Sequence, residues 1–96
     1  MYRREKVNGY EGYEVDTNGV IYGKRGKPLK FSINPNGYCI ITFSINGKEK
    51  GFGVHQIVAR QFITNDDPEH KTQVNHIDGN KENNRVENLE IGRAHV

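Results

Sequence analysis

The chain has 96 residues and a formal net charge of +2, with 33% hydrophobic and 27% charged residues. At this length we expect one small domain rather than a multidomain machine, because independent folding units usually contain about 100–150 residues. The single cysteine, Cys39, excludes an internal disulfide and any zinc site built from a pair of cysteines. The longest apolar run, 38–41, is far shorter than the roughly 20 residues that span a bilayer, and residues 1–15 lack the apolar region of a signal peptide. We therefore expect an intracellular protein without a membrane segment.

The charges divide the chain into a basic first half and an acidic second half. Residues 1–50 contain nine Lys/Arg against five Asp/Glu, whereas residues 51–96 contain five against seven. No acidic residue lies between Asp16 and Glu49. The cations in this interval are Lys24, Arg25, Lys27, Lys30 and Lys48. Charge alone leaves two interpretations open, a segment that binds phosphate groups and an ordinary solvated face.

Tight turns separate several short strands in the first half. The dipeptides Asn-Gly or Asp-Gly, which favour positive φ at both residues, occur at 8–9, 18–19, 36–37, 46–47 and 78–79. Apolar residues flanking the second turn predict a pair of strands within 13–22. The alternation over Tyr38–Ile45 predicts the clearest strand, with Cys39 as a small core residue. The turn at 46–47 then leads into a second strand over Glu49–Val54.

From Val54 onward the apolar period becomes helical. Val54, Val58 and Phe62 are spaced four residues apart, and Ile57 widens the same face. This spacing predicts one amphipathic helix that stops near Thr64–Asp67, because Pro68 cannot continue it.

A polar loop between two further strands is the most informative stretch of the sequence. The pattern predicts strands at 74–77 and 86–91 and the loop at 78–84. The polar residues of this stretch include Asn75, His76, Asp78, Asn80, Asn83, Asn84 and Asn88. Because Asn and Asp side chains bond to nearby backbone, we interpret Asn80, Asn83 and Asn84 as structural.

The histidines have simple interpretations as long as only local geometry is considered. His76 alternates with Asn75 in a strand, so one of the two faces solvent or a site, and strand geometry alone favours a satisfied histidine. His55 opens the helix, where packing or capping is its simplest role. A calcium loop is excluded because Asn83 stands where glycine is needed and Leu89 where glutamate is needed.

The ordered polar series of the second half resembles a nuclease family. The stretch VNHIDGNKENNRVENLE at 74–90, preceded by VHQIVARQFITND at 54–66, is similar to the HNH homing-type endonucleases of phages and mobile introns. That family has the ββα-metal fold. The stretch GYEGYEVDTNGVIY at 9–22 resembles the DNA-contacting motif that commonly precedes the nuclease in the same family.

The resemblance implies roles for particular residues. His76 would be the general base that activates water for attack on a phosphodiester of double-stranded DNA, leaving a 3′ hydroxyl and a 5′ phosphate. Asn75 would be a ligand for a divalent cation, Mg²⁺ or Mn²⁺, at a position that is aspartate in many relatives. Asn88 would fix the loop so that the histidine is oriented. The five cations between Asp16 and Glu49 would contact DNA.

The end of the chain departs from the family pattern. The motif continues into a helix whose last metal ligand, His or Asn, lies about nine positions beyond the central asparagine, and from Asn88 that is position 97. His95 is two positions out of register with this ligand, and Gly92 is a poor helix start. Residues 91–96 read like one frame of a common sequencing adapter. We therefore interpret 91–96 as a non-native tail.

These inferences predict an α+β chain with N-terminal β-hairpins followed by a ββα-metal motif that lacks its final helix. Residues 1–53 would be the basic DNA-contacting segment and 54–90 the nuclease motif. The expected function is a metal-dependent endonuclease that cuts or nicks double-stranded DNA. Two alternatives stay open, a DNA-binding module without catalysis and a small structural or protein-interaction domain.

Overall fold

The computed structural model describes residues 1–92, which contain eight short strands, one α-helix and one 3₁₀ turn. The elements are β1 (Arg4–Lys6), β2 (Glu14–Asp16), β3 (Ile21–Tyr22), β4 (Ser32–Ile33), β5 (Cys39–Ile45), β6 (Lys48–Gly53), α1 (Val54–Phe62), β7 (Gln73–His76), the 3₁₀ turn (Val86–Asn88) and β8 (Leu89–Gly92). This mixture confirms the α+β class. Within the described residues, the helices are too short and too polar to cross a membrane.

The strands form three small antiparallel sheets around one helix. Their orders are β1-β2-β3, β4-β5-β6 and β7-β8. The helix α1 contacts strands of all three sheets, so it is the element that connects them. One buried apolar cluster extends from Val7 near the N-terminus to Leu89 in the last strand. The two segments expected from the sequence therefore share a core.

The turn between β5 and β6 has the conformation that the sequence predicts. Asn46 has φ 51° and Gly47 has φ 78°, which is the two-residue turn that matches the twist of paired strands. At the other four Asn-Gly and Asp-Gly dipeptides only the glycine has positive φ. In two of those turns the preceding side chain explains the difference, since Asp16 Oδ1 accepts from the Asn18 amide and Asn34 Oδ1 accepts from the Asn36 amide.

The core is centred on β5 and its aromatic neighbours. Cys39, Ile41 and Phe43 are buried in alternation with more exposed residues, as predicted. The Phe43 ring is fully buried and stacks on Tyr13 with ring centroids 4.1 Å apart. Burial of one such side chain stabilises the fold by about 1.5–3 kcal/mol. The first half thus supplies most of the aromatic packing of this small core.

The helix α1 has the amphipathic character that the sequence predicts. Val54, Ile57 and Val58 are buried, whereas Gln56 and Arg60 are exposed. The helix ends at Phe62, well before the proline that bars its continuation.

The predicted strand over 86–91 is wrong in its first half. Residues Val86–Asn88 form the 3₁₀ turn, and the strand begins only at Leu89. The Asn88 amide donates to the Arg85 carbonyl, and the Val86 amide donates to the Thr17 carbonyl of the first sheet's turn. Local and tertiary hydrogen bonds therefore replace a strand ladder here. Ile91 and Gly92 pair with β7, while His95 lies outside the described residues.

Candidate active site

His76 lies at the end of β7, where the chain leaves the sheet for the polar loop. Its ring is half-buried, and its Nε2 lies 2.8 Å from Oδ1 of Asn84. Its Nδ1 makes no hydrogen bond within residues 1–92. One ring nitrogen is therefore hydrogen-bonded to the protein, and the other has no hydrogen bond to the described residues.

Two further rings pack beside His76. The His55 ring centroid lies 5.3 Å from that of His76, and the Tyr38 ring stacks on His55 at 4.8 Å. Burial, helped by the nearby His76, lowers the pKa of His55 to about 4, so this imidazole is neutral at pH 7. Its Nδ1 is buried without a hydrogen-bond partner in the described part of the chain. The rings that pack beside His76 are thus aromatic and uncharged.

Asn88 joins the two ends of the polar loop. Its Oδ1 accepts from the Asp78 amide, and its Nδ2 donates to the Asp78 carboxylate and to the Asn83 carbonyl. The Asp78 carboxylate also accepts from the Asn83 side chain and from the Asn80 amide. These bonds, led by that from Asn83, lower the pKa of Asp78 and keep it ionised. The loop after His76 is therefore fixed by its own side chains.

Asn75 precedes His76 on β7 and lies opposite Glu90 of β8. Directly opposite residues of an antiparallel pair project from the same face of a sheet, so an amide oxygen and a carboxylate share that face. The Asn75 side chain makes no hydrogen bond within residues 1–92. Oxygen donors of this kind suit Mg²⁺, which keeps several waters and needs only one or two protein carboxylates beside its substrate phosphates. The described residues contain no group of three or more His, Cys, Asp or Glu that could hold a metal.

The five cations of the basic interval are exposed. They are Lys24, Arg25, Lys27, Lys30 and Lys48. Across the described chain, none of them forms an ion pair with a carboxylate. Lys24 lines a groove of about 540 Å³ together with Ile45 and Asn46 at the β5–β6 turn. This surface can meet phosphates without first breaking internal salt bridges.

The sequence interpretation missed two side chains that the fold brings to His76. Asn84 was grouped with Asn80 and Asn83 as structural, but its side chain bonds to the His76 ring. Tyr38 belongs to a strand flank far away in sequence, and only the tertiary fold brings it near the histidine. His55 does pack as expected, and its position beside His76 follows from the docking of α1 on β7. No local pattern could have indicated these contacts.

Comparison with known proteins identifies this arrangement. The sequence model of the HNH endonuclease family matches residues 52–94. Those residues are an HNH endonuclease motif. The chain is 44% identical over 85 residues to the DNA endonuclease I-HmuI of Bacillus phage SP01, and the match covers 86% of this chain and 48% of that protein. It is 42% identical over 89 residues to the SPbeta prophage-derived putative HNH homing endonuclease YosQ of Bacillus subtilis (strain 168). That match covers 92% of this chain and 50% of that protein.

The similarity extends from the HNH motif to the fold of nearly the whole chain. A solved structure concerning DNA binding and cleavage by the HNH homing endonuclease I-HmuI superposes with a TM-score of 0.85 at 39% identity. The match covers 95% of this chain and 52% of that chain. The resemblance to HNH homing endonucleases inferred from the residues is confirmed. The chain spans about half the length of these relatives.

Proposed function

We propose that this chain is the DNA-cleaving part of a divalent-metal-dependent HNH endonuclease, with His76 as its general base. The observation that carries the proposal is the hydrogen bonding of two residues that are adjacent in the sequence. His76 has one ring nitrogen fixed and the other uncommitted, and the Asn75 side chain is also uncommitted within residues 1–92. A base and an oxygen ligand are thus available on consecutive residues at the end of β7.

In the proposed reaction, His76 removes a proton from a water molecule as the water oxygen attacks a backbone phosphorus. The new P–O bond forms while the bond to the 3′ oxygen breaks, giving a 5′ phosphate and a 3′ oxygen that takes a proton from solvent water to become the 3′ hydroxyl. A positioned general base contributes about 10²–10⁴ in rate, or roughly 3–5 kcal/mol. That is too little for phosphodiester hydrolysis by itself, so a second source of stabilisation is needed.

A divalent cation would supply this second contribution by stabilising negative charge on the leaving oxygen. Asn75 would hold the ion, with Glu90 opposite it in the sheet as a further oxygen donor. Mg²⁺ or Mn²⁺ fits such oxygen ligands. The role of Asn88 in this proposal is to fix the loop that follows His76, through its bonds to Asp78 and Asn83.

The proposed substrate is double-stranded DNA inside the cell, bound through the basic interval. Lys24, Arg25, Lys27, Lys30 and Lys48 are exposed and lack carboxylate partners among the described residues. If all five meet phosphates, the logarithm of the affinity should fall with the logarithm of the salt concentration with a slope of about −4 to −5 from this surface. Whether one strand or both are cut depends on how many active sites meet the duplex.

A DNA-binding module without catalysis is the second candidate. One observation favours it, because the described residues bring together no group of three or more ionisable metal ligands. Such a module would retard DNA and leave it intact.

A plasmid nicking assay separates the two candidates. We expect supercoiled plasmid to be converted to nicked or linear DNA with Mg²⁺ and to stay supercoiled when EDTA is added, while a gel-shift assay shows binding in both conditions. Binding without cleavage at any tested concentration of Mg²⁺ or Mn²⁺ would favour the module. Absence of any salt-dependent binding to duplex DNA would contradict both.

A further inference from the structure

The Asn84 side chain is a buried amide that bonds to His76. Only 6% of the residue is exposed. Its Oδ1 lies 2.8 Å from Nε2 of His76. Burial raises the pKa of the Cys39 thiol in the core, and the neighbouring Asn84 side chain opposes this rise. Asn84 therefore connects the centre of the protein to the ring at the active site, which Asn80 and Asn83 of the same loop do not.

The buried Cys39 thiol supports the orientation of the Asn84 amide. Cys39 is 2% exposed, and burial raises the pKa of its thiol, so the group keeps its proton. The thiol donates to the Lys81 carbonyl oxygen, with sulfur and oxygen 4.0 Å apart. With its proton directed at Lys81, the sulfur offers only lone pairs toward Asn84, and lone pairs favour the amide nitrogen over the amide oxygen on that side. This orientation turns the amide oxygen of Asn84 toward Nε2 of His76, which must carry a proton to donate to it.

The backbone of Asn84 is held in place by the turn between β2 and β3. Gly19 has φ +85°, and a Cβ added there would lie 2.5 Å from the Asn84 carbonyl oxygen. The neighbouring Thr17 carbonyl accepts from the Val86 amide at 3.0 Å. The first sheet thus fixes the position from which the Asn84 amide reaches the histidine.

From these contacts we infer that Asn84 is a positioning residue for His76, holding the neutral imidazole with its proton on Nε2 and leaving Nδ1 as the basic nitrogen. The inference rests on the proposed function for its meaning in catalysis. Its structural content is independent of that function, because the tautomer of a histidine can be observed without DNA or metal.

Nitrogen-15 NMR of the 96-residue chain tests the tautomer directly. Two-bond couplings between ring protons and ring nitrogens distinguish a proton on Nε2 from one on Nδ1, and the His76→Gln variant identifies which signals belong to residue 76. We expect the proton of His76 on Nε2 in the unmodified protein at a pH where the ring is neutral. We expect the Asn84→Leu variant, which keeps the side-chain volume but has no acceptor, to show a mixture of the two tautomers.

Two further variants serve as controls. Asn84→Asp keeps an acceptor oxygen, so its His76 should retain the proton on Nε2 even if Asn84→Leu fails to fold. Asn80→Ala removes another asparagine of the loop, whose side chain accepts from the Glu82 amide and, within residues 1–92, bonds to no other group. This variant should leave the tautomer unchanged. A proton on Nδ1 in the unmodified protein or in Asn84→Asp would overturn the inference, as would an unchanged tautomer in folded Asn84→Leu.

Cleavage kinetics supply the second readout. Loss of the partner that orients a metal-bound histidine typically costs about 10- to 100-fold. By analogy, Asn84→Leu should lower kcat by about that factor while the Kd for duplex DNA stays the same. A loss confined to DNA affinity would contradict a positioning role. If the unmodified protein binds DNA but never cleaves it, the proposed function fails, and the NMR result still decides whether Asn84 sets the tautomer.

Discussion

The aromatic core around β5 and the polar loop after His76 are held together by different forces. Phe43 in the core is fully buried against the rings of Tyr10, Tyr13 and Phe52. The loop from 77 to 88 is largely exposed and is fixed by asparagine and aspartate side chains that bond to backbone and to one another. Apolar burial is worth more per residue than exposed hydrogen bonds. Stability is therefore concentrated in the first region and orientation of the candidate site in the second.

The largest expected effect of a substitution is in the core. Phe43→Ala should lower the free energy of unfolding by about 3–5 kcal/mol, because it removes a fully buried ring and leaves a cavity. The loop variant Asn80→Ala should cost about 0.5–1.5 kcal/mol, the usual contribution of a single hydrogen bond. Urea denaturation measures both, and a loop variant that costs as much as the core variant would refute the distinction between the regions.

The buried histidine between the two regions should make stability depend on pH. The folded pKa of His55, about 4, is below its ordinary value of 6.5, so the protein binds this proton less readily when folded. The stability from His55 is therefore fully present above pH 6.5 and is lost as the pH falls toward 4, by up to about 3 kcal/mol.

The His55→Phe variant keeps a ring beside Tyr38 without a titrating nitrogen. Its free energy of unfolding should fall less steeply between pH 6.5 and 4 than that of the unmodified protein. If the free energy of unfolding of the two proteins fell equally over this pH range, His55 would not be desolvated in the way that the structure shows.

A smaller effect should distinguish two glycines that share a backbone conformation. Gly9 and Gly19 both have φ +85°, but a Cβ at Gly9 meets nothing within 4 Å, whereas one at Gly19 meets the Asn84 backbone. Gly19→Ala should therefore lower the free energy of unfolding by roughly 1–2 kcal/mol more than Gly9→Ala. Both substitutions strain the backbone equally, but only the one at position 19 adds a steric clash. Equal losses in thermal unfolding would contradict the contact between the first sheet and the loop.

Much of the fold could be predicted from period and turn chemistry. The alternation of β5, the four-residue spacing of α1 and the turn at Asn46-Gly47 are local signals, and all three are confirmed. The predicted start of β8 was wrong because the tertiary hydrogen bond from the Val86 amide to the Thr17 carbonyl competes with strand pairing there. A hydrogen bond between residues this far apart in the sequence cannot be predicted from the local residue pattern.

The candidate site was predictable only in part for the same reason. The order of polar residues pointed to His76, Asn75 and Asn88 through the family resemblance, and their roles stay predictions. The environment of the histidine, formed by Asn84, His55 and Tyr38, depends on how three separate elements dock. Asn84 lies in the same loop as Asn80 and Asn83 and is the same type of residue, so composition could not distinguish it from them.

The most direct test of His76 as the general base compares two histidine variants in the plasmid nicking assay. His76→Ala removes the proposed base, and His70→Ala removes an exposed histidine that bonds to Asp67 away from the site. Cleavage with Mg²⁺ should fall by at least about 10²-fold in His76→Ala, with gel-shift affinity for duplex DNA largely kept, and should be unchanged in His70→Ala. Full cleavage by folded His76→Ala would contradict the assignment of the base.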